Sequence, residues 1–147
     1  MDDLEIRVAD TDREREDAFA VRHEVFVEEQ GVDEELEYDE HDETAIHFVA
    51  YGGDEPIGAA RLRDLGEGVG TVERVAVRES WRENGVGRAL MATLEERADA
   101  LGFVTLKLHS QTRAAPFYRE LGYERRGAEF EEAGIPHVEM QKPLEGP

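Results

Sequence analysis

The chain has 147 residues, 36 acidic and 17 basic, a formal net charge of −19 and no cysteine. Its length fits one domain around one core; the charge leaves no basic face for a nucleic-acid backbone, and without cysteine there is no disulfide, thiolate nucleophile or thiolate-held metal. No apolar run approaches the ~20 residues of a membrane span, and the opening Met1-Asp-Asp-Leu-Glu lacks the basic and apolar regions of a signal peptide, so a soluble, cytoplasmic protein is expected.

Leu4, Ile6 and Val8 alternate, which predicts a first strand. Thr11 and Glu14 stand at capping-box spacing. Ala18, Val21 and Val25, beside Phe19 and Phe26, then give one apolar helix face. Gly31 to Asp42 is acidic and reads as a loop or a second short helix. Ala45–Tyr51 and Ile57–Arg63 read as strands around the turn Gly52-Gly-Asp-Glu-Pro56. A second Gly-rich turn, 65–70, leads to a strand at 71–77. From about Gly85, Val86, Leu90, Leu94, Ala98 and Leu101 recur at helical spacing, and Gly102 suits the end of that helix. Val104, Leu106 and Leu108 alternate in the next strand. A short helix covers about Thr112 to Leu121, with Gly122 as its stop, and a last strand pair occupies 123–130 and 137–142. The order β-α-β-β-β-α-β-α-β-β predicts a mixed α/β sheet with helices on its faces. The regular apolar patterning argues against the disorder that so high a charge could signal.

The stretch that carries most chemistry is the strand 71–77 followed by Arg82-Glu-Asn-Gly-Val-Gly-Arg88. Gly85 and Gly87 lack Cβ atoms, so a ligand can approach their N–H groups. The first turn of a helix leaves such groups unpaired and partially positive, and Arg82 and Arg88 flank it. The combination suits a pyrophosphate; a Gly-containing helix start that binds nothing has the same spacing. A Walker loop would need Gly-Lys-Ser/Thr, which is absent. A dinucleotide fingerprint would need a third glycine and an acidic residue about 20 positions on.

The sequence resembles the GNAT superfamily of acyl-CoA N-acyltransferases. The family's pyrophosphate motif, [R/Q]-x-x-G-x-[G/A], is matched by Arg82, Gly85 and Gly87. Its later motif, N-x-x-A-x-x-[F/L]-Y-x-x-x-G-[F/Y], is matched by Ala114, Phe117, Tyr118, Gly122 and Tyr123, with Gln111 in place of Asn. Arg22-x-x-Val-Phe-Val-x-Glu-Gln30 and Gly134-Ile-Pro-His-Val-Glu-Met140 resemble a branch typified by ElaA and YjcF. The resemblance implies a mostly antiparallel central sheet with helices on both faces. It implies acetyl-CoA as cosubstrate, no metal, and a small-molecule or peptide amine as acceptor, and it leaves room for a homodimer. The strands at 71–77 and 103–109 would splay apart at their ends, with a bulge in the former freeing the backbone of Val75, Ala76 and Val77 for the cosubstrate. The cosubstrate would also lie on the loop Arg82, Glu83, Asn84, Gly85, Val86, Gly87 and Arg88 and beside Gln111 and Tyr118. Tyr118 would protonate the departing thiolate. Arg22, Gln30 and His137 would border the acceptor, in a region whose acids, Asp39 and Asp42 among them, could form a negative wall for a cationic amine. A regulatory module that binds acyl-CoA without turnover, or transfer of a longer acyl group, fits the same motifs.

Read from the residues alone, Tyr118 is equally a core aromatic of a short helix, and Val75 and Val77 are core positions. Period-two counting puts Glu73 on one face with Thr71, Val75 and Val77. Among apolar neighbours its carboxyl would be raised towards a base near neutrality; against an arginine of the next strand it would be an ion pair. His109 and His137 could face the acceptor, and none of the five histidines has metal-ligand spacing on a helix. Fifteen of the 17 basic residues are arginine. Acidic excess with so little lysine resembles the proteins of extremely halophilic archaea.

Overall fold

A computed structural model describes residues 4–144; the Met1-Asp2-Asp3 of the leader reading lies outside them. Seven strands form one sheet: β1 (Leu4–Val8), β2 (Ile46–Gly52), β3 (Glu55–Gly66), β4 (Val69–Val77), β5 (Thr105–Gln111), β6 (Glu124–Glu132) and β7 (Ile135–Pro143). Their spatial order is β1-β2-β3-β4-β5-β7-β6, and the β4–β5 pair alone is parallel. The helices are α1 (Asp12–Arg22), the single turn α2 (Glu34–Glu37), α3 (Val86–Ala100) and α4 (Ala115–Glu120). Among the described residues no helix is long and apolar enough to cross a membrane, and no group of three or more His, Cys, Asp or Glu side chains could hold a metal ion.

Alternation along the strands divides the core between two faces. Phe48, Ala50, Ala60, Leu62 and Val72 look towards α3 and α4, where Val86, Leu90, Met91, Leu94, Ala98 and Tyr118 bury against them. Val49, Tyr51, Ala59 and Ala76 look the other way, towards Ala18, Val21 and Val25. Leu101, assigned by periodicity to the α3 stripe, is 50% exposed because the helix stops at Ala100. Val104 precedes the strand it was expected to open and is exposed.

Thr11 caps α1 as its spacing predicts: its Oγ1 accepts from Glu14 N at 3.1 Å, and Glu14 Oε1 accepts from Thr11 N at 3.2 Å. The helix does not continue in α form to Phe26. After Arg22 it widens into a π-helical turn, His23–Glu29, closed by Gln30 N donating to Val25 O at 3.1 Å. The predicted Gly-rich turn at 65–70 shrinks to Glu67-Gly68, whose φ values of 56° and 80° make a two-residue hairpin turn. The strands fill the rest.

The acidic segment 31–44 has little apolar surface to bury. It forms two short turns, α2 capped by Asp33 and a 3-10 turn, Glu40–Glu43, capped by Asp39. Charge holds it to the sheet. Arg22, 1% exposed, bonds Glu37 Oε2 at 3.0 Å and Asp42 Oδ1 at 2.8 Å. Arg61, also 1% exposed, bonds Asp39 Oδ1 at 2.7 Å, Asp42 Oδ1 at 2.9 Å and Glu73 Oε1 at 2.6 Å. Arg63 forks onto Glu73 with both bonds at 2.9 Å. Arg74 reaches Glu37 Oε1 at 2.9 Å and Asp39 Oδ2 at 3.2 Å. The formal charges of these four arginines and four carboxylates cancel.

Removing one partner of such a network leaves the others buried and uncompensated, at a cost of about 3–5 kcal/mol. Arg61→Leu is therefore expected to lower unfolding free energy by that order in urea denaturation. Arg88→Ala, which removes an exposed pair with Glu120, should stay within about 0.5 kcal/mol of the parent.

The same network sets the acid limit. Although burial alone would raise them, bonds from Arg22 and Arg61 hold Asp42 at about 2, and bonds from Arg63 and Arg61 hold Glu73 at about 2. In an unfolded chain these carboxyls titrate at about 3.9 and 4.3. Folded values below unfolded ones mean stability that is complete above the unfolded pKa and lost as pH falls towards the folded one. The thermal midpoint should fall steeply between about pH 4 and 2, after a smaller loss that begins below about pH 6.5, where His47, held neutral by burial, takes up a proton only in the unfolded chain.

Candidate functional site

The parallel pairing of β4 with β5 runs only from Val69↔Thr105 to Val72↔Leu108. Beyond it the strands part, because β4 carries a bulge. Ala76 pairs with Ala59 and Glu73 with Arg61, so Arg74 and Val75 together oppose the single residue Ala60. Arg74 takes a left-handed φ of 58°, uncommon for a side chain of its size. The bulge also shifts the alternation. Thr71 and Glu73 face Arg63 and Arg61 on the α1 side, whereas Val75 and Val77 pack against the α3 core. The expectation that Glu73 shares a face with Val75 and Val77 is thus corrected.

A cleft of about 720 Å³ opens where the strands part. Val75, Ala76 and Val77 line it from β4, His109, Ser110 and Gln111 from β5, and Tyr118 from α4. Gln30 closes it on one side and His137 of the β6–β7 hairpin on another. Gln111 Nε2 donates to Gln30 Oε1 at 2.8 Å, tying the end of β5 to the N-terminal segment. Tyr118 is 8% exposed, with its ring edge-on to Phe117 and Tyr123. None of the hydrogen bonds among the described residues uses its hydroxyl, and burial pushes the phenol up, so it keeps its proton.

Beside the cleft, Gly85 caps α3 at φ 81°, with no side-chain hydrogen bond to the helix start. A Cβ built on Gly85 would meet nothing within 4 Å, and on Gly87 it would sit 3.2 Å from Phe117 Cζ. Positive φ explains the first glycine, and ring packing accounts for the second as directly as ligand approach does. Val86 is buried, so it offers a ligand only its backbone. Glu83, at φ 67°, and Asn84, whose Nδ2 donates to Arg82 O, complete an exposed loop. Of the residues 82–88, Arg82 alone lines the cleft. Its Nε donates to Val77 O at 2.9 Å, and its other nitrogens fork onto Glu29 at 2.6 and 2.7 Å. Glu29 belongs to the N-terminal motif but drew no role from sequence. Arg88 points away to Glu120.

Two further expectations are corrected. Glu73 lines the cleft, but its carboxyl is lowered rather than raised, because Arg63 and Arg61 bind it. Arg22 does not reach the cleft; it lies under Phe19 and Tyr38, whose rings it stacks against at 5.0 and 5.4 Å, and holds Glu37 and Asp42 from beneath. The acidic wall is consequently matched by arginine, charge for charge. Arg61, Arg74, Arg113 and Glu132 line the cleft without having been singled out from sequence. No local pattern marks them, since each arrives from a separate element.

Residues 9–144 match the family model described as Acetyltransferase (GNAT) domain. The chain is 43% identical over 136 residues to the uncharacterized N-acetyltransferase YjcF of Bacillus subtilis, covering 92% of this chain and 96% of that one. A crystal structure of a Lactobacillus plantarum protein described as an N-acetyltransferase superposes with a TM-score of 0.91 at 33% identity, covering 97% of this chain and 99% of that one. Escherichia coli ElaA superposes with a TM-score of 0.82 at 24% identity and the same coverage, a likeness of fold.

Proposed function

The chain belongs to the GNAT acetyltransferase family and is an acetyl-CoA-dependent acetyltransferase; from that premise we propose that it acetylates a primary amine by direct attack in a ternary complex. The observation that carries this reading is the parting of β4 from β5 beside the Gly85 helix start, with Tyr118 in the same cleft. From Glu73 to Val77 the β5-facing edge of β4 has no ladder partner. Pantetheine is a chain of amides and adds to such an edge as a peptide strand does. The pyrophosphate then meets the unpaired N–H groups of Val86, Gly87 and Arg88, where the helix field favours negative charge.

This placement brings the thioester to the middle of the cleft. A backbone N–H of the 75–77 segment polarises its carbonyl. The amine nitrogen attacks the carbonyl carbon, the C–S bond breaks, and the Tyr118 hydroxyl gives its proton to the leaving sulfur. The acceptor enters between Gln30 and His137. Because the arginines offset the acids there, the wall exerts no large net pull on a cation, and the acceptor class stays at amines in general.

Tyr118→Phe deletes one hydroxyl and keeps the packed ring. It should lower kcat by ~10²-fold or more, while calorimetric affinity for acetyl-CoA remains within about twofold. Wild-type turnover in this variant would leave Tyr118 with packing alone.

The surface is, on our reading, tuned to high salt. The buried network is neutral, so the net charge of −19 resides outside it. At ~1 M salt the Debye length is near 3 Å, which removes both self-repulsion and the long-range repulsion of anionic coenzyme A. The thermal midpoint and the association rate of acetyl-CoA should both rise from about 0.1 M to above 1 M KCl. A flat or falling midpoint across that series would remove the halophilic reading and leave the acyltransferase reading standing.

A further inference from the structure

The proton that leaves the acceptor amine needs a base, and the carboxylates lining the cleft are poor choices. Glu73 is locked by Arg61 and Arg63, and Asp39 by Arg61 and Arg74. Burial raises the carboxyl of Glu37, but at 2% exposure it is shut away between Arg22 and Arg74. His137 differs. It is 7% exposed and lines the cleft that Tyr118 also lines. Its Nδ1 lies 2.7 Å from the carbonyl oxygen of Ile135. A carbonyl only accepts, so the proton of the neutral ring sits on Nδ1 and the lone pair on Nε2. Phe130 stacks on the ring at 6.1 Å and 24°, which fixes its plane. None of the hydrogen bonds among the described residues uses Nε2. Glu132 Oε2 stands 4.0 Å from it, and the other oxygen of Glu132 is held by His109 Nδ1 at 3.0 Å.

We infer that Nε2 of His137 takes the proton of the acceptor amine, and that Glu132 stabilises the imidazolium so formed. The inference rests on the acyltransferase reading. As the nitrogen bonds to the carbonyl carbon, its N–H proton passes to Nε2. As the C–S bond breaks, the Tyr118 proton passes to sulfur. Solvent then takes the imidazolium proton and returns one to Tyr118, so the products are the amide and free coenzyme A thiol, with no net proton change for a neutral amine.

The test joins ¹⁵N NMR of histidine-labelled protein to pH–rate profiles for whichever primary amine of a panel the wild type turns over, followed by thiol release. The titratable groups around His137 are His109 on β5, Glu132 on β6 and Glu139 on β7, the last 3.7 Å from His109, and Arg113 lines the same cleft. NMR should show the Nδ1–H tautomer for His137, and kcat/KM should rise with pH through the His137 titration. His137→Asn keeps a donor near the Ile135 carbonyl but loses Nε2. It should lose that limb and ~10²-fold in kcat, with acetyl-CoA affinity unchanged. In Glu132→Gln the kinetic limb should still coincide with the NMR titration while kcat falls, and this variant carries the test if His137→Asn fails to fold. His109→Gln should retain a limb. An intact limb with near-parental kcat in His137→Asn, or a limb that does not follow the NMR titration in Glu132→Gln, overturns the inference alone. Acetyl-CoA binding by the wild type without turnover of any amine overturns the acyltransferase reading and the inference with it.

Discussion

Arg61 lies in the middle of the sheet with 1% of its surface exposed, and it joins parts of the chain that apolar contact does not join. From β3 it binds Glu73 on β4 and both Asp39 and Asp42 of the acidic segment. A guanidinium this deep is tolerable only where carboxylates meet it with good geometry. In an acidic chain with few lysines, planar arginine forks also serve better than point charges. Arg22 repeats the arrangement from α1, and His47 adds a bond from Nε2 to the carbonyl of Asp42 at 2.8 Å. The segment they hold lines the cleft through Leu36, Asp39 and His41. Leu36 is 60% exposed, so little apolar burial there substitutes for the ion pairs.

The other half of the site depends on backbone. The bulge at Arg74 and Val75 ends the β4–β5 ladder early, and the parting of the strands gives the cleft its depth. The π-helical turn after Arg22 carries Gln30 to the same cleft, where it meets Gln111. Charge fixes one wall and strand geometry the other, and Tyr118 and His137 face the space between them.

Much of this was legible in the chain itself. The capping box, the α3 stripe, the hairpins and the Arg82–Arg88 loop each rest on signals a few residues apart, and they appear close to their predicted bounds apart from Leu101 and the 65–70 turn, most of which is strand. What escaped is non-local or breaks a period. Arg22 meets Glu37 and Asp42 across 15 and 20 residues, and a chain so rich in acids offers no hint of which carboxylates it will choose. Glu73 was read as a base or an ion pair, and only the register of β3 against β4 decides between them. A bulge in this strand is implied by the family resemblance, but no glycine announces where it falls, since Arg74 itself takes the left-handed conformation. The hairpin of β6 and β7 was visible, but not that β7 lies inside it, against β5.

That left-handed arginine acts on β4 much as an inserted letter acts on a reading frame. Before it, odd-numbered positions look towards α1; after it, the even-numbered Ala76 does. The two halves of one strand therefore answer to different substitution rules, polar at 71 and 73, apolar at 75 and 77. Loss of a single residue between 73 and 75 would bring the halves back into phase. The strand would keep its composition and its β propensity, yet β4 could run straight alongside β5 and close the space between them. Length, at this one place, constrains the protein more tightly than residue identity does.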